Sequence, residues 1–329
     1  QAQGHLSEGE RRRSRGRGAE SAEGLAFTQD FVIRPFLSSK AMRQMMSHTR
    51  RACFSLFLLI VASPGLLFAA EKSSAAILVR DALTAPGQPA TVEAKLISKR
   101  LMLIAALGGE PLELVVDGKV VATALTGGDG RAFFTYTPKA QGLAPVHVRI
   151  GNSPRVDQAE GQANLAVWEK RQAILVVELS SLIEDPLPSR VPPIGIAFES
   201  ERKPIAEAVY ELGKLTQFYY KVVYVMHVPV GIDGFQRSAE VRDWLKRHKF
   251  PPGYVLVLPA DTNALGAKID EFHAAGWRTV KVGVGRSKAF VESFVQRRLD
   301  VIMVPEPSKG EVPRKAKVAK DWKDVRKKL

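Results

Sequence analysis

Ala173-Ile-Leu-Val-Val-Glu178-Leu-Ser180-Ser-Leu182-Ile-Glu-Asp185 is the stretch whose reading decides the fold. Its apolar run, Ile174 to Val177, is rich in β-branched residues and flanked by polar ones, the pattern of a strand buried on both faces. From here to about residue 304 strand and helix patterns alternate, which predicts a parallel α/β sheet opened by this strand. Ligands of such sheets bind beyond the carboxyl ends of the strands, so Glu178 to Leu182 fall at the expected site.

Downstream, Lys203-Pro204 opens a helix with Ile205, Ala208, Val209, Leu212, Leu215 and Phe218 at helical spacing. Strands are predicted at Lys221–Val228, Tyr254–Leu258, Thr279–Val284 and Val301–Val304, and helices at Ser238–His248 and Ser287–Arg298. Between them, Asp261 is placed to cap a helix carrying Leu265, Ile269 and Phe272 and ending at Gly276. The expected fold is a doubly wound parallel sheet with right-handed crossovers.

Four stretches carry a resemblance: residues 173–185, Val223-Tyr-Val-Met226-His227-Val-Pro229, Trp244-Leu-Lys-Arg-His-Lys-Phe-Pro251-Pro-Gly253 and Gly283-Val-Gly285-Arg286-Ser287-Lys288-Ala-Phe290. Together they resemble the haloacid-dehalogenase (HAD) superfamily, and within it lipin-like phosphatidate phosphatases and the carboxyl-terminal domain of phosphatidylinositol-transfer proteins. That resemblance implies a HAD-like, Rossmann-like domain. It also implies a first strand ending in Asp-x-Asp-x-Thr, with an aspartate nucleophile, an acid/base aspartate and bound magnesium. Here those positions hold Glu178, Ser180 and Leu182, the second-motif hydroxyl is Met226, and the fourth-motif acids correspond to Arg286 and to Ala289 or Phe290. Lys268 matches the third-motif lysine.

The carried-over set is thus degenerate. Glutamate would carry its carboxylate about one methylene too far, and a misplacement near 1 Å can cost roughly a hundredfold in rate. Magnesium favours several carboxylate or phosphate oxygens, which this set lacks. The expectation is no catalytic residue and no cofactor, with magnesium as the alternative. Ser180, Lys268, Arg286, Ser287 and Lys288 become an anion-binding set for a phosphate-bearing ligand.

Residues 71–170 read as a β-sandwich, with short strands at Ala76–Val79, Thr91–Leu96, Leu112–Val116, Lys119–Leu125, Ala132–Tyr136 and Val146–Ile150. Asp117-Gly118 between apolar runs predicts a tight primed turn. With Thr126 to Gly130 and the aromatic strand ending at Thr137-Pro138, this half resembles bacterial immunoglobulin-like domains, modules that imply a fold and no particular activity. His147 reads as a structural histidine, since no other ligand residue neighbours it in the strand.

The net charge of +14 is uneven: residues 1–70 hold ten Lys/Arg against five Asp/Glu. Residues 1–41 read as sequence upstream of the true start. Residues 42–70 read as a signal peptide, with Arg50-Arg51, an apolar run from Ala52 to Leu67, and Ala69-Ala70 for cleavage. The single cysteine, Cys53, falls inside it, so the mature chain would have neither disulfides nor thiol chemistry. At the other end, residues 306–329 combine a Pro-rich linker with a basic amphipathic helix whose apolar stripe is Val318, Trp322, Val325 and Leu329. That stripe suits either docking on the folded domains or an anionic lipid surface.

Zinc-type histidine spacing, a Gly-x-Ser-x-Gly elbow and a phosphate-binding Gly-x-x-x-x-Gly-Lys-Ser loop are all missing from the sequence. The sequence therefore points to a periplasmic or secreted protein. An immunoglobulin-like domain (71–170) precedes a non-catalytic HAD-like domain (171–305) that binds a phosphate-bearing ligand or an anionic lipid surface, with no nucleic acid. Two readings stand beside it, a weak metal-dependent phosphohydrolase using Glu178 and a ligand-free scaffold.

Overall fold

All five residues from Ile174 to Glu178 are buried, a pattern that needs layers on both faces of the strand. The computed structural model describes residues 72–100, 103–184, 202–229, 231–261, 263–307 and 312–329, so the predicted leader lies outside the described residues. Nine strands come first: β1 (Ala75–Val79), β2 (Ala82–Thr84), β3 (Ala90–Arg100), β4 (Leu103–Ala106), β5 (Pro111–Val116), β6 (Lys119–Leu125), β7 (Arg131–Tyr136), β8 (Gly142–Ile150) and β9 (Glu160–Val167). They form two sheets, β2-β9-β8-β5-β6 and β1-β3-β4 with β7 also on β3. Alternation drives the packing: Leu112, Leu114 and Val116 of β5 point into a core shared with Leu96, Phe134, Val148 and Leu165. Asp117 and Gly118 take φ of 49° and 75°, both positive as the predicted primed turn requires. β2, β4 and β9 have no clear strand signal in the sequence. The last carries only a weak alternation, Gly161-Gln-Ala-Asn-Leu165.

The second half contains β10 (Ile174–Glu178), a 3-10 turn (Leu179–Leu182), α1 (Ala206–Phe218), β11 (Lys221–Val228), α2 (Gly234–Arg247), β12 (Tyr254–Pro259), α3 (Ala264–Ala274), β13 (Val280–Gly285), α4 (Lys288–Val295), β14 (Asp300–Met303), β15 (Lys317–Val318) and α5 (Trp322–Lys328). Its strands run β12-β11-β10-β13-β14-β15, every pair parallel. Leu175, Val177 and Tyr224 pack on α1, α2 and α5 through Leu212, Trp244 and Trp322. Ile174, Val176 and Val225 pack on α3 and α4 through Ile269, Phe290 and Phe294.

Three expectations are corrected. The helix predicted from Ser238 starts at Gly234, because Asp233 caps it by accepting from Phe235 N. The helix assigned to an Asp261 cap starts at Ala264 with Asn263 as its N-cap. The tail stripe is not one helix: Val318 lies in β15, the sixth strand, and α5 begins at Trp322. Trp322 and Val325 are buried in the α/β core, and Trp322 Nε1 donates to Ser181 O at 2.9 Å. Trp322 and Val325 are therefore spent on docking, while Val318 is half-buried and Leu329 is exposed.

One buried ion pair joins the sandwich to the sheet. Arg242 of α2 donates from Nη1 to Asp81 Oδ1 (2.9 Å) and from Nη2 to Val79 O (3.0 Å) and Gln162 O (2.7 Å). Asp81 also accepts from Asn164 N and Val255 N, each at 2.9 Å. Val255 belongs to β12, the sheet edge, so the carboxylate satisfies an outward backbone donor that would otherwise be open to pairing. Burial raises the Asp81 carboxyl above its ordinary range, while the Arg242 charge and these hydrogen bonds oppose the rise. Removing one partner of such a pair costs about 3–5 kcal/mol because it strands the other charge. Thermal denaturation of Asp81→Ala and Arg242→Met should show losses of that order, with the double variant losing clearly less than their sum.

Candidate functional site

In a sheet of this strand order the direction of winding reverses between β10 and β13, and the crevice beyond their carboxyl ends is where a ligand would lie. Glu178 ends β10, and Arg286 and Ser287 follow β13. The glutamate side chain crosses this gap. Its Oε2 accepts from Arg286 N (2.7 Å) and Ser287 N (2.8 Å), and its Oε1 from the Ser287 hydroxyl (2.6 Å). Ser287 is the N-cap of α4 and also accepts from Phe290 N. A carboxylate at a helix amino end, held by two backbone N–H groups and a hydroxyl, is a well-solvated internal anion. Gly285 makes the turn possible, since a Cβ there would lie 2.3 Å from the Phe290 ring.

The other half of the crevice is left unfilled by the described residues. A cavity of about 320 Å³ lies beyond β10 and β11, walled by Ser180, Ile183, Met226, His227 and Ile232, with Arg202 and Arg237 at its margin. Ser180 Oγ is buried at this wall with no hydrogen-bond partner among the described residues. Arg237 ion-pairs with Glu240 at 2.9 Å. Burial and the charge of Arg237 both lower Arg202, so two guanidinium groups share one poorly solvated region. Burial also lowers the His227 imidazole below its ordinary 6.5, against an upward pull from Glu178. His227 is therefore neutral near pH 7 and able to accept as well as donate.

The expected anion set is brought together only in part. Ser180 lines the cavity, while Arg286 and Ser287 turn their amides to Glu178. Lys268 sits elsewhere, in a cleft beside Arg80, Glu93 and Phe133, paired with Glu271 at 2.7 Å. Lys288 is exposed on the first turn of α4 and faces Glu292 at 3.8 Å. Leu182 is fully buried in the core, and Met226 lines the cavity. The Trp244-to-Gly253 stretch is a packing element: Trp244 stacks on Phe250, Tyr224 OH donates to Pro251 O, and a Cβ on Gly253 would lie 2.5 Å from Val222 O. Arg202 and Arg237 went unnoticed in the sequence, since both lie in charged stretches with no motif around them.

This donor set does not suit magnesium. The Glu178 oxygens already accept three hydrogen bonds, and no other carboxylate lines the cavity among the described residues. No group of three or more His, Cys, Asp or Glu side chains among those residues could hold a metal ion.

No protein-family model matches the chain, and no curated protein does. Among solved structures it is similar to the D,D-heptose 1,7-bisphosphate phosphatase from Burkholderia thailandensis, with TM-score 0.35 and 11% identity over 48% of this chain and 97% of that one. It is also similar to the D0-D1 domain of intimin, with TM-score 0.21 and 15% identity over 30% of this chain and 50% of that one. The titin Z1Z2 domains in complex with telethonin give TM-score 0.20 and 19% identity over 31% and 54%. Likeness at these scores carries no functional argument. No helix among the described residues is long and apolar enough to cross a membrane.

Two outcomes follow. Glu178→Gln presents an amide to donors that need an acceptor, and losing charge-assisted hydrogen bonds costs about 1.5–3 kcal/mol. Denaturant unfolding should show that loss, and Ser287→Ala, which keeps both amide bonds, a smaller one. Because the folded His227 binds protons less readily than the unfolded one, its contribution to stability is present above pH 6.5 and is lost as pH falls through the folded value. His227→Gln should flatten that part of the stability–pH curve.

Proposed function

We propose that this is an exported, non-catalytic HAD-like protein whose crevice binds a small phosphate-bearing ligand. The observation that carries the reading is the convergence on one cavity of Arg202, Arg237 and the Ser180 hydroxyl, which has no hydrogen-bond partner among the described residues. A planar guanidinium can donate to two oxygens of a tetrahedral phosphate at once, and Ile183 and Ile232 suit an apolar substituent on the ester. The strand order and the motif resemblance support the HAD-like reading, and the sandwich supports the immunoglobulin-like one. Glu178 is committed to backbone donors across the crevice, which disfavours its use as a nucleophile. Export rests on the leader-like residues 42–70.

Thermal shift and calorimetry with inorganic phosphate and glycerol phosphate, in the absence of divalent metal, test this directly. Ligand at a hundred times Kd should stabilise the protein by about 2.7 kcal/mol, and Arg202→Gln should abolish most of that gain. Equal shifts in wild type and Arg202→Gln, or none at saturating phosphate, would remove the binding reading in favour of a scaffold. Phosphate release that disappears on Glu178→Gln would instead restore an enzyme.

A further inference from the structure

The opposite end of the α/β domain carries a second surface. Because all six strands run parallel, their amino ends form one rim, and each strand is entered from that rim by its own segment. Arg171, Lys249, Arg278, Arg298 and Arg314 stand exposed in the segments before β10, β12, β13, β14 and β15, and β11 opens on Lys221. Across residues 168–173, 219–220, 248–253, 275–279, 296–299 and 312–316 the one acid is Glu169, already accepting from Gln141 and Arg171. Two further acids border the rim, each paired: Asp300, which opens β14, with Lys317 at 3.4 Å, and Asp270 of α3 with Arg297 at 2.6 Å. Neighbouring strands are spaced about 4.8 Å apart, so the row of cations is on the order of 25 Å wide.

Helix dipoles explain part of this. Lys246 and Arg247 lie in the last turn of α2, and Lys170 donates to Ala275 O at the end of α3, where a cation is favourable. They do not explain Arg171 and Arg314, which cap no helix. Nor do they explain two neighbouring aromatic side chains at the same rim. Phe218 and Tyr219, at the end of α1, are 69% and 71% exposed, with ring centroids 6.2 Å apart. Large aromatic groups left in water beside a row of cations suit the headgroup level of an anionic bilayer. There the rings enter the interface and the cations meet phosphates.

We propose that the amino-end rim of the sheet is a docking surface for an anionic phospholipid membrane, with Phe218 and Tyr219 as the inserting pair. This orientation leaves the Glu178 crevice, at the other end of the strands, facing away from the bilayer. The aromatic pair favours lipid over duplex nucleic acid, whose backbone phosphates would ask only for the cations; a single strand, whose bases could stack on the rings, is an outcome of the test.

Cosedimentation of the full chain with vesicles of phosphatidylglycerol and phosphatidylcholine in equal parts, against phosphatidylcholine alone, provides the test. Binding should need the anionic lipid and fade near 1 M salt, where the screening length is about 3 Å. Arg171→Glu with Lys249→Glu should weaken it by at least about tenfold. Phe218→Ser with Tyr219→Ser should weaken it comparably and leave the response to salt intact. The substituted side chains are exposed, and melting curves verify that each variant is folded; either pair alone suffices should the other fail to fold. Binding unchanged in the variants would overturn the proposal, as would equal binding to neutral vesicles. So would tighter retention of single-stranded or duplex DNA than of the anionic vesicles.

Discussion

The carboxylate of Glu178 lies where two requirements of a parallel α/β domain meet. The crevice beyond β10 and β13 exposes the amino end of α4, whose N–H groups need an acceptor. The end of the central strand is also the place from which a side chain can reach across. Glutamate satisfies those donors from within the chain, accepting from Arg286 N, Ser287 N and the Ser287 hydroxyl. An aspartate at the same place would be shorter by a methylene and less able to span the gap. The extra reach suits the residue as a strut.

With that anion in place, the remaining features of the crevice fall into order. On the β13 side the helix end is already satisfied by Glu178, so an external anion is left with the β11 side, where Arg202, Arg237, His227 and Ser180 line the cavity with Glu178 at its edge. The 3-10 turn carrying Ser180 is itself held from behind, since Ser181 O accepts from Trp322 and Ser181 Oγ donates to Glu178 O. The carboxyl-terminal helix thus supports the site's wall, and the sandwich covers the exposed edge of the sheet through Asp81.

Much of this architecture is legible in the sequence, for reasons that also explain what is not. Ile174–Val177 announces a central strand because burial on both faces leaves no room for polar residues. That Glu178, Ser180 and Leu182 differ from an Asp-x-Asp-x-Thr pattern is equally plain. The role Glu178 takes is hidden, because two of its three donors are backbone amides, which every residue but proline has and no motif marks. Lys268 fits a motif by spacing, yet α3 carries it into a different cleft. Arg202 and Arg237 meet only through tertiary packing. Asp81 and Arg242, a buried pair joining the two halves, are 161 residues apart and look like ordinary surface charges until the fold buries them. β15 is two residues long, too short for any periodicity to reveal.

The claim that Glu178 is the chain's own ligand for the α4 amino end can be read at the two amides themselves. Sulfate titrated into nitrogen-15-labelled protein should leave the Arg286 and Ser287 amide shifts unmoved in the wild type. In Glu178→Ala, where those donors are released, it should move them in a saturable way. Saturable movement of both amides in the wild type would contradict the account, because it would mean that the helix end is open and the glutamate is not its partner.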